Sequence, residues 1–453
     1  MKIDQSIEPA LLGPAIKTLL RASAEKIRSL HRSWNPSEGS PVFTVNGKYT
    51  SRGWTEWTHG FQFGSAILQF DGTGDGEFLR IGRSRTVEVM APHLTHTGVH
   101  DHGFNNVSTY GNLLRLLDEG RVEQNEWERR FYEVALKCSG AVQAGRWSDI
   151  ASGGGYIYSF NGPHSLFVDT VRTVRALAVA HRLGHVLLGE NDRRISLLDR
   201  LICHVRATAR YSVYYGEGRD TWDVRGRVAH ESIFNPNDGN YRCPSSQQGY
   251  SPYTTWTRGL AWAMLGFAEE LEFLQTVSDE ELEVHGGREP ILAEMRKAAE
   301  ATCDFYIDNT ALDGVPYWDT GAPGLERIAN WRDKPSDPFN EWEPVDSSAA
   351  VIATQGLLRL GRFLQNERYW KAGLTVCRTL LAEPYLSTDP NHQGLMLHSI
   401  YHRPNGWDSI PAGRRIPSGE ACMWGDYHAL ELAVYLQRII ENKTYLTFWS
   451  NGQ

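Results

Sequence analysis

Apolar residues recur at intervals of three and four along most of the chain, the spacing of helices that bury one face. Residues 10–34, ALLGPAIKTLLRASAEKIRSLHRSW, set the pattern. The same spacing runs through 59–70, 77–94, 105–120, 125–142, 164–184, 191–211, 254–274, 289–309, 346–365, 366–386 and 424–440. About a dozen helices are predicted, with no run of alternating strand-like residues between them. Asp, Ser, Thr or Asn stands before several segments and Gly after others, as expected where helices start and stop.

These helices fall into couples, because short connections alternate with long ones. The long ones, at 40–57, 143–164, 210–256, 311–345 and 384–423, are rich in Trp, Gly, Pro and Asp. Six helical hairpins with elaborate loops on one side predict an all-α fold, an (α/α)6 barrel. In such a toroid the inner helices bury both faces, and the loops at one end build the site. A solenoid of stacked helix pairs would show a fixed sequence repeat, and none is found. No stretch has the composition of an interdomain linker, so a single domain over residues 1–453 is expected.

Charge and composition narrow the function. A net charge of −8 argues against a nucleic-acid binder, which would carry a basic face. An acidic sugar remains open as substrate, since one buried Arg can hold a carboxylate on a negative protein. The six cysteines lie far apart with no CxxC pair, which speaks against structural zinc and fits buried free thiols in a reducing compartment. The first twenty residues lack a basic start followed by an apolar run, and no stretch reaches the ~20 apolar residues of a membrane helix. A cytoplasmic protein without membrane contact is therefore expected, as monomer or dimer. Fifteen Trp among 11% aromatic residues suit either a large aromatic core or sugar stacking, where a flat ring meets the C–H face of a pyranose.

Three places carry candidate chemistry. In HDHGF, His100, Asp101 and His102 are consecutive, so on a helix they diverge by about 100° each and cannot share an ion. Asp101 is then a helix cap or a carboxylate that touches substrate. Asp169 lies in LFVDTV, amid apolar residues, where it either caps a helix or points into the barrel. Burial there is expected to raise its pKa and make it a usable general acid. The third place, AHESIFNPNDGNYRCPSSQQGYSPYTTWTRGLAW, holds His230, Gln248, Trp256, Arg258 and Trp262. Arg258 offers a planar fork for a carboxylate, unless one of the many Asp residues already pairs with it.

Seven stretches in order resemble the unsaturated glucuronyl hydrolases of glycoside hydrolase family 88. They are WTHGFQFG from Trp57, HDHGF, FVDTVRTVRAL, AHESIFNPNDG followed by QGYSPYTTWTRGLAW, VPYWDTGAP, DSSAAVIATQGLLRL and MWGDYHALELAVYL, within about residues 54–440. The resemblance implies an (α/α)6 barrel. It implies an enzyme that removes a 4,5-unsaturated uronic acid from the non-reducing end of lyase-generated oligosaccharides, without cofactor or metal. Asp169 would protonate the C4=C5 bond and activate water. Asp101 would tune Asp169, raising its pKa further by like charge, and bind sugar hydroxyls. Trp57, His100, His230, Gln248, Trp256, Arg258 and Trp262 would bind substrate. The chain departs from the family at Leu260, commonly Gln, at the polar run after Phe104, and at Ala421. These departures leave two alternatives: a saturated β-glucuronidase or other uronidase that uses both Asp residues at C1, and a sugar epimerase-like protein.

Overall fold

The computed structural model describes residues 1–53 and 56–449; Trp54, where the resemblance begins, lies outside them, as do the last four residues of the expected domain. Among the described residues, six helical stretches bury nearly every side chain. They are His59–Thr73, Gly103–Asp118, Thr170–Arg182, Thr257–Leu274, Ser347–Leu364 and Met423–Ile440. Each packs on the next, and the last returns to the first, so they close a ring. Each of the outer helices Gly76–Val89, Glu126–Ala144, Leu197–Tyr211, Arg288–Asn309 and Glu367–Leu380 follows its inner partner in the chain. Pro9–Ser33 completes the outer layer against the sixth inner helix. The protein is an (α/α)6 barrel.

The division follows from patterning. All eighteen residues of Thr257–Leu274 are buried, whereas Glu126–Ala144 buries a single stripe and exposes Arg and Glu on its other side. Asn125, Asp346 and Asn366 cap where the sequence placed them, each accepting amide protons from the first turn that follows, while Ser196 does so five residues inside the predicted 191–211 segment. Two motif glycines have a steric reason. A Cβ on Gly103 would sit 2.1 Å from the Thr173 carbonyl oxygen, and one on Gly60 would sit 2.3 Å from that of Asn105. Neighbouring inner helices touch there backbone to backbone, which only glycine permits.

Two predicted helices are corrected at their starts: 191–211 opens with the turn Glu190–Asp192 and the strand Arg194–Ser196, antiparallel to Val186–Leu188, and becomes helical only from Leu197. The segment 164–184 begins as a strand, Ser165–Phe167, antiparallel to Glu231–Phe234, which pairs in turn with Tyr241–Ser245. Leu166, Phe167 and Val168 form an apolar run after Gly162 and Pro163, and a partner strand arrives from the long connection 210–256. A ladder thus displaces the first helical turn. The strand is functional in position: Val168 N bonds His230 O at 2.9 Å, and the chain then delivers Asp169 at the head of the third inner helix.

Candidate active site

The amino-terminal ends of the inner helices and the long connections enclose a cavity of about 420 Å³. Its wall gathers Trp57, His100, Asp101, Asp169, Gln248, Trp256, Arg258 and Trp262 from five separate stretches of the sequence. His230 does not reach the wall. It lies buried between Phe167 and Trp256, at ring centroid distances of 4.5 and 4.6 Å. Its Nδ1 accepts from the amides of Gln247 (3.0 Å) and Gln248 (3.3 Å), so it shapes the wall from behind. Nδ1 must then be unprotonated, in keeping with a pKa lowered by burial to about 4.

Asp169 occupies the cap position of Thr170–Thr173 but makes no capping bond with its side chain. Its Oδ1 instead meets His100 Nε2 at 3.0 Å. Asp101 begins its helix through the backbone: its carbonyl accepts from the amides of Phe104 (2.9 Å) and Asn105 (3.1 Å). The Asp101 carboxylate lines the cavity, 3.8 Å from the same His100 Nε2. Two carboxylates thus converge on one imidazole. His100 is held in place by its own carbonyl, which accepts from Gln143 Nε2 and Thr173 Oγ1, each at 2.8 Å, and by Phe160 and Phe167 around its ring. His102 faces elsewhere, with Nδ1 on Ser139 Oγ and Nε2 on His96 O, both at 3.0 Å. Among the described residues no group of His, Cys, Asp and Glu is placed to hold a metal ion.

The electrostatics correct the expectation for Asp169. Burial does oppose its charge, but the hydrogen bond from His100, that residue's charge, His230 and Arg258 outweigh it and hold the carboxyl below its usual value. Asp101 shifts the other way: burial raises it, only partly countered by His100, and the neighbouring Asp169 raises it further. His100 is penalised by burial, yet the two carboxylates raise it above its usual value. In the unliganded cluster His100 therefore holds its proton to higher pH than a free imidazole beside a readily ionised Asp169, and Asp101 holds its proton to higher pH than an ordinary carboxyl. Burial alone was the wrong guide because His100 lies within hydrogen-bond reach of Asp169.

Arg258 lines the cavity with its fork already committed. Nη1 meets Asp346 Oδ2 at 2.9 Å and the Ile400 carbonyl; Nη2 meets Gln248 Oε1 at 2.9 Å and Tyr401 O at 2.6 Å. The guanidinium also lies 4.5 Å from the centre of the Trp256 ring. Its evident work is to fasten Gln248 and the 400–408 segment to the barrel. Because Gln248 Oε1 accepts from Arg258, its amide nitrogen is free to face a ligand.

The sequence reading missed one wall. Tyr401, His402, Asn405 and Trp407 come from the connection 384–423, with Asn161 and Gln247 opposite. Tyr401 packs on Trp424 and Trp407 at 5.1 and 5.3 Å, and Trp57 stacks on Trp424 at 5.0 Å and 26°. Asp408 Oδ2 accepts from the His402 amide at 3.0 Å, which shapes the segment. The run YHRPNGW, with an aromatic at each end of a Pro-Asn-Gly turn, was the available signal. A second cavity, beneath helix Pro9–Ser33, is mostly apolar and only about 50 Å³, too small for a sugar.

A barrel whose aromatic cavity holds two carboxylates around a histidine defines a class: an (α/α)6 protein with an acidic, aromatic-walled cavity of ligand size. The relatives narrow it. The chain is 24% identical over 390 residues to an unsaturated glucuronyl hydrolase of Formosa agariphila, covering 85% of this chain and 81% of that protein. It is 25% identical over 417 residues to the unsaturated glucuronyl hydrolase of Bacillus sp. strain GL1, covering 89% and 90%. An unsaturated chondroitin disaccharide hydrolase of Streptococcus pyogenes is 24% identical over 401 residues, covering 86% and 83%. Among solved structures, a heparin-specific unsaturated glucuronyl hydrolase superposes with a TM-score of 0.72 at 17% identity, over 95% of this chain and all of that one. The Bacillus sp. GL1 enzyme gives 0.70 at 22%, over 97% and 99%. No family model matches the chain. In sequence and in fold, the protein is similar to unsaturated glucuronyl hydrolases.

Proposed function

We propose that the protein is a glycoside hydrolase that removes a 4,5-unsaturated uronic acid from the non-reducing end of lyase-generated oligosaccharides by hydrating the C4=C5 bond. The observation that carries the proposal is Asp169: it forgoes its helix cap to meet His100 in an aromatic cavity. The unsaturated ring is a vinyl ether, electron-rich at C4. Asp169 delivers a proton to C4, leaving an oxocarbenium ion at C5. The same carboxylate, now ionised, takes a proton from the water that adds at C5. The hemiketal opens and the anomeric bond to the leaving sugar is lost.

Asp169 is charged in the free enzyme, so it must acquire a proton before it acts. An entering uronate brings a second negative charge and displaces water, and both favour the neutral acid. The nearest proton lies on His100, 3.0 Å away. His100 is therefore the proton store for Asp169 rather than a group that only binds sugar. Asp101 and the Gln248 amide bind ring hydroxyls, and Trp57, Trp256 and Trp262 supply the apolar walls. A conventional uronidase would place its two carboxyl groups on either side of the scissile bond. Here both converge on the His100 ring, which favours a single acid/base residue.

Unsaturated disaccharides prepared with several polysaccharide lyases provide the test. Loss of the ultraviolet absorbance of the conjugated alkene, together with release of the second sugar, is expected for at least one of them. Turnover of a saturated aryl glucuronide with no effect on any unsaturated disaccharide contradicts the proposal. Acidic oligosaccharides are the only ligands it requires, in a monomer or a dimer, and a cytoplasmic location suits lyase products imported as short chains.

A further inference from the structure

The exposed aromatic residues are not scattered evenly. Among the described residues, Trp222, Tyr250 and Tyr253 are 58%, 52% and 45% exposed, and all three belong to the connection that supplies Gln247 and Gln248 to the cavity wall. Tyr250 is two residues beyond Gln248, so its Cα lies at most about 7 Å further on, and Tyr253 at most about 17 Å. The Trp222 and Tyr253 rings stand 6.5 Å apart at 39°. A flexible loop would waste such a pair, but this surface is fastened. Asp223 accepts from the amides of Gly216 (2.8 Å), Glu217 (3.1 Å) and Arg219 (2.8 Å). Asp220 accepts from the Trp222 amide and from Arg227 Nη2, both at 2.7 Å. Arg227 Nη1 then reaches the Pro252 carbonyl at 3.2 Å, which joins the Trp222 turn to the Tyr253 turn. Asp319 accepts from the Tyr250 amide at 2.8 Å.

We propose that Trp222, Tyr250 and Tyr253 form a distal sugar-binding platform, on which the reducing-end residues of an oligosaccharide stack when its terminal residue occupies the cavity. The proposal rests on the cavity being the site of the unsaturated uronate. Its occupant follows from continuity: a chain longer than the cavity must leave through the mouth, and the 247–253 segment runs from the wall to the platform. Exposed flat rings on a rigid support, two of them 6.5 Å apart, match the C–H faces of pyranoses. They match a protein partner poorly, because a stable protein interface needs about 800 Å² from each side, far more than three rings offer. Of the other exposed aromatic residues, Trp127 and Phe131 project from the outer helix Glu126–Ala144 and Phe339 lies in the separate connection 311–345; none belongs to the segment that carries Gln247 and Gln248.

Steady-state kinetics on an unsaturated disaccharide and an unsaturated tetrasaccharide of the same polymer tests the platform, with Trp222→Ala, Tyr253→Ala and their combination. The expected result is a KM about fivefold higher for the tetrasaccharide in each single variant, more in the double, and an unchanged disaccharide KM. Equal effects on both substrates, or none on the tetrasaccharide, overturn it. A change in sedimentation on Trp222→Ala without a change in tetrasaccharide KM also overturns it, by assigning the patch to contact between protein chains. If no unsaturated substrate is turned over, the functional proposal falls. Calorimetric titration of the tetrasaccharide into wild type and Trp222→Ala then still decides the platform.

Discussion

Asp169 and Arg172 lie three positions apart, and the two belong to different electrostatic worlds. Arg172 Nη1 meets Glu269 at 2.7 Å and its Nη2 meets Glu431 at 3.2 Å. Arg175 approaches Glu431 at 3.7 Å, and Arg359 meets Glu272 at 2.8 Å. These groups come from four inner helices, are all buried, and set three guanidinium groups against three carboxyls; burial still pushes Glu272 up to about 7, and burial and Glu269 push the neighbouring Glu270 well up. Burial opposes the charge on Glu431, but Arg172 and its neighbours hold the carboxyl down to about 2. One turn away, two carboxylates share one imidazole and border a cavity. Both clusters cost desolvation energy, and only the second borders the cavity. Burial of charge marks structure and function equally; an incomplete set of partners facing open space separates them.

The comparison is open to attack through substitutions on either side. The largest expected effect is on turnover: Asp169→Asn lowers kcat by about 10³-fold or more, the range of a lost acid/base group, while Tm stays within a few degrees and the substrate still binds. Arg172→Met does the reverse. It strands Glu269 and Glu431, so it costs about 3–5 kcal/mol of stability, read by denaturant unfolding. Equal stability losses from the two substitutions would erase the distinction between the clusters.

His100 gives the next effect, and it depends on pH. Its folded pKa is raised, so its contribution to stability is complete below the usual 6.5 and is lost as pH rises through the folded value. The Asp169 pKa is depressed, so its contribution is present above the usual 3.8 and is lost as pH falls through the folded value. The pair is therefore fully intact from about pH 4 to 6.5. Asp101, with its raised pKa, contributes stability that is lost as pH rises through its folded value, so Tm measured against pH should fall at both ends of that window, and His100→Gln should weaken the alkaline fall. The same substitution should remove the alkaline limb of kcat/KM, which reports the stored proton; an unchanged limb excludes His100 from the proton path. The smallest effect belongs to Arg258→Lys, which keeps the charge but loses the fork holding Asp346, Gln248 and the Tyr401 carbonyl. KM should rise about fivefold with kcat nearly unchanged, as the 400–408 wall loosens.

The barrel was legible because its helices obey a three-and-four spacing and its caps are ordinary Ser, Asp and Asn residues. The strand at Ser165–Phe167 was not, since its pairing partner lies some sixty residues away and periodicity is a local signal. Asp101, Asp169, Trp57 and Gln248 stood out by their neighbours in sequence and do line one cavity. Tyr401, His402, Asn405 and Trp407 did not, because the aromatics flanking their Pro-Asn-Gly turn gain meaning only once the fold brings that turn to the cavity. The pKa directions were illegible for a related reason. Whether Asp169 gains or loses its proton depends on His100, sixty-nine positions distant, and Arg258 is a fastener rather than a free fork because Asp346 lies opposite.

Time-resolved proton NMR of an unsaturated disaccharide with the enzyme in deuterated water tests the central claim most directly. The account predicts that the C4 vinyl signal disappears no later than the glycosidic bond breaks, with one deuterium delivered to one face of C4, and that Asp169→Asn leaves the vinyl signal intact. Release of the second sugar while the vinyl signal of the uronate persists, or consumption of the alkene by Asp169→Asn at the wild-type rate, would contradict it.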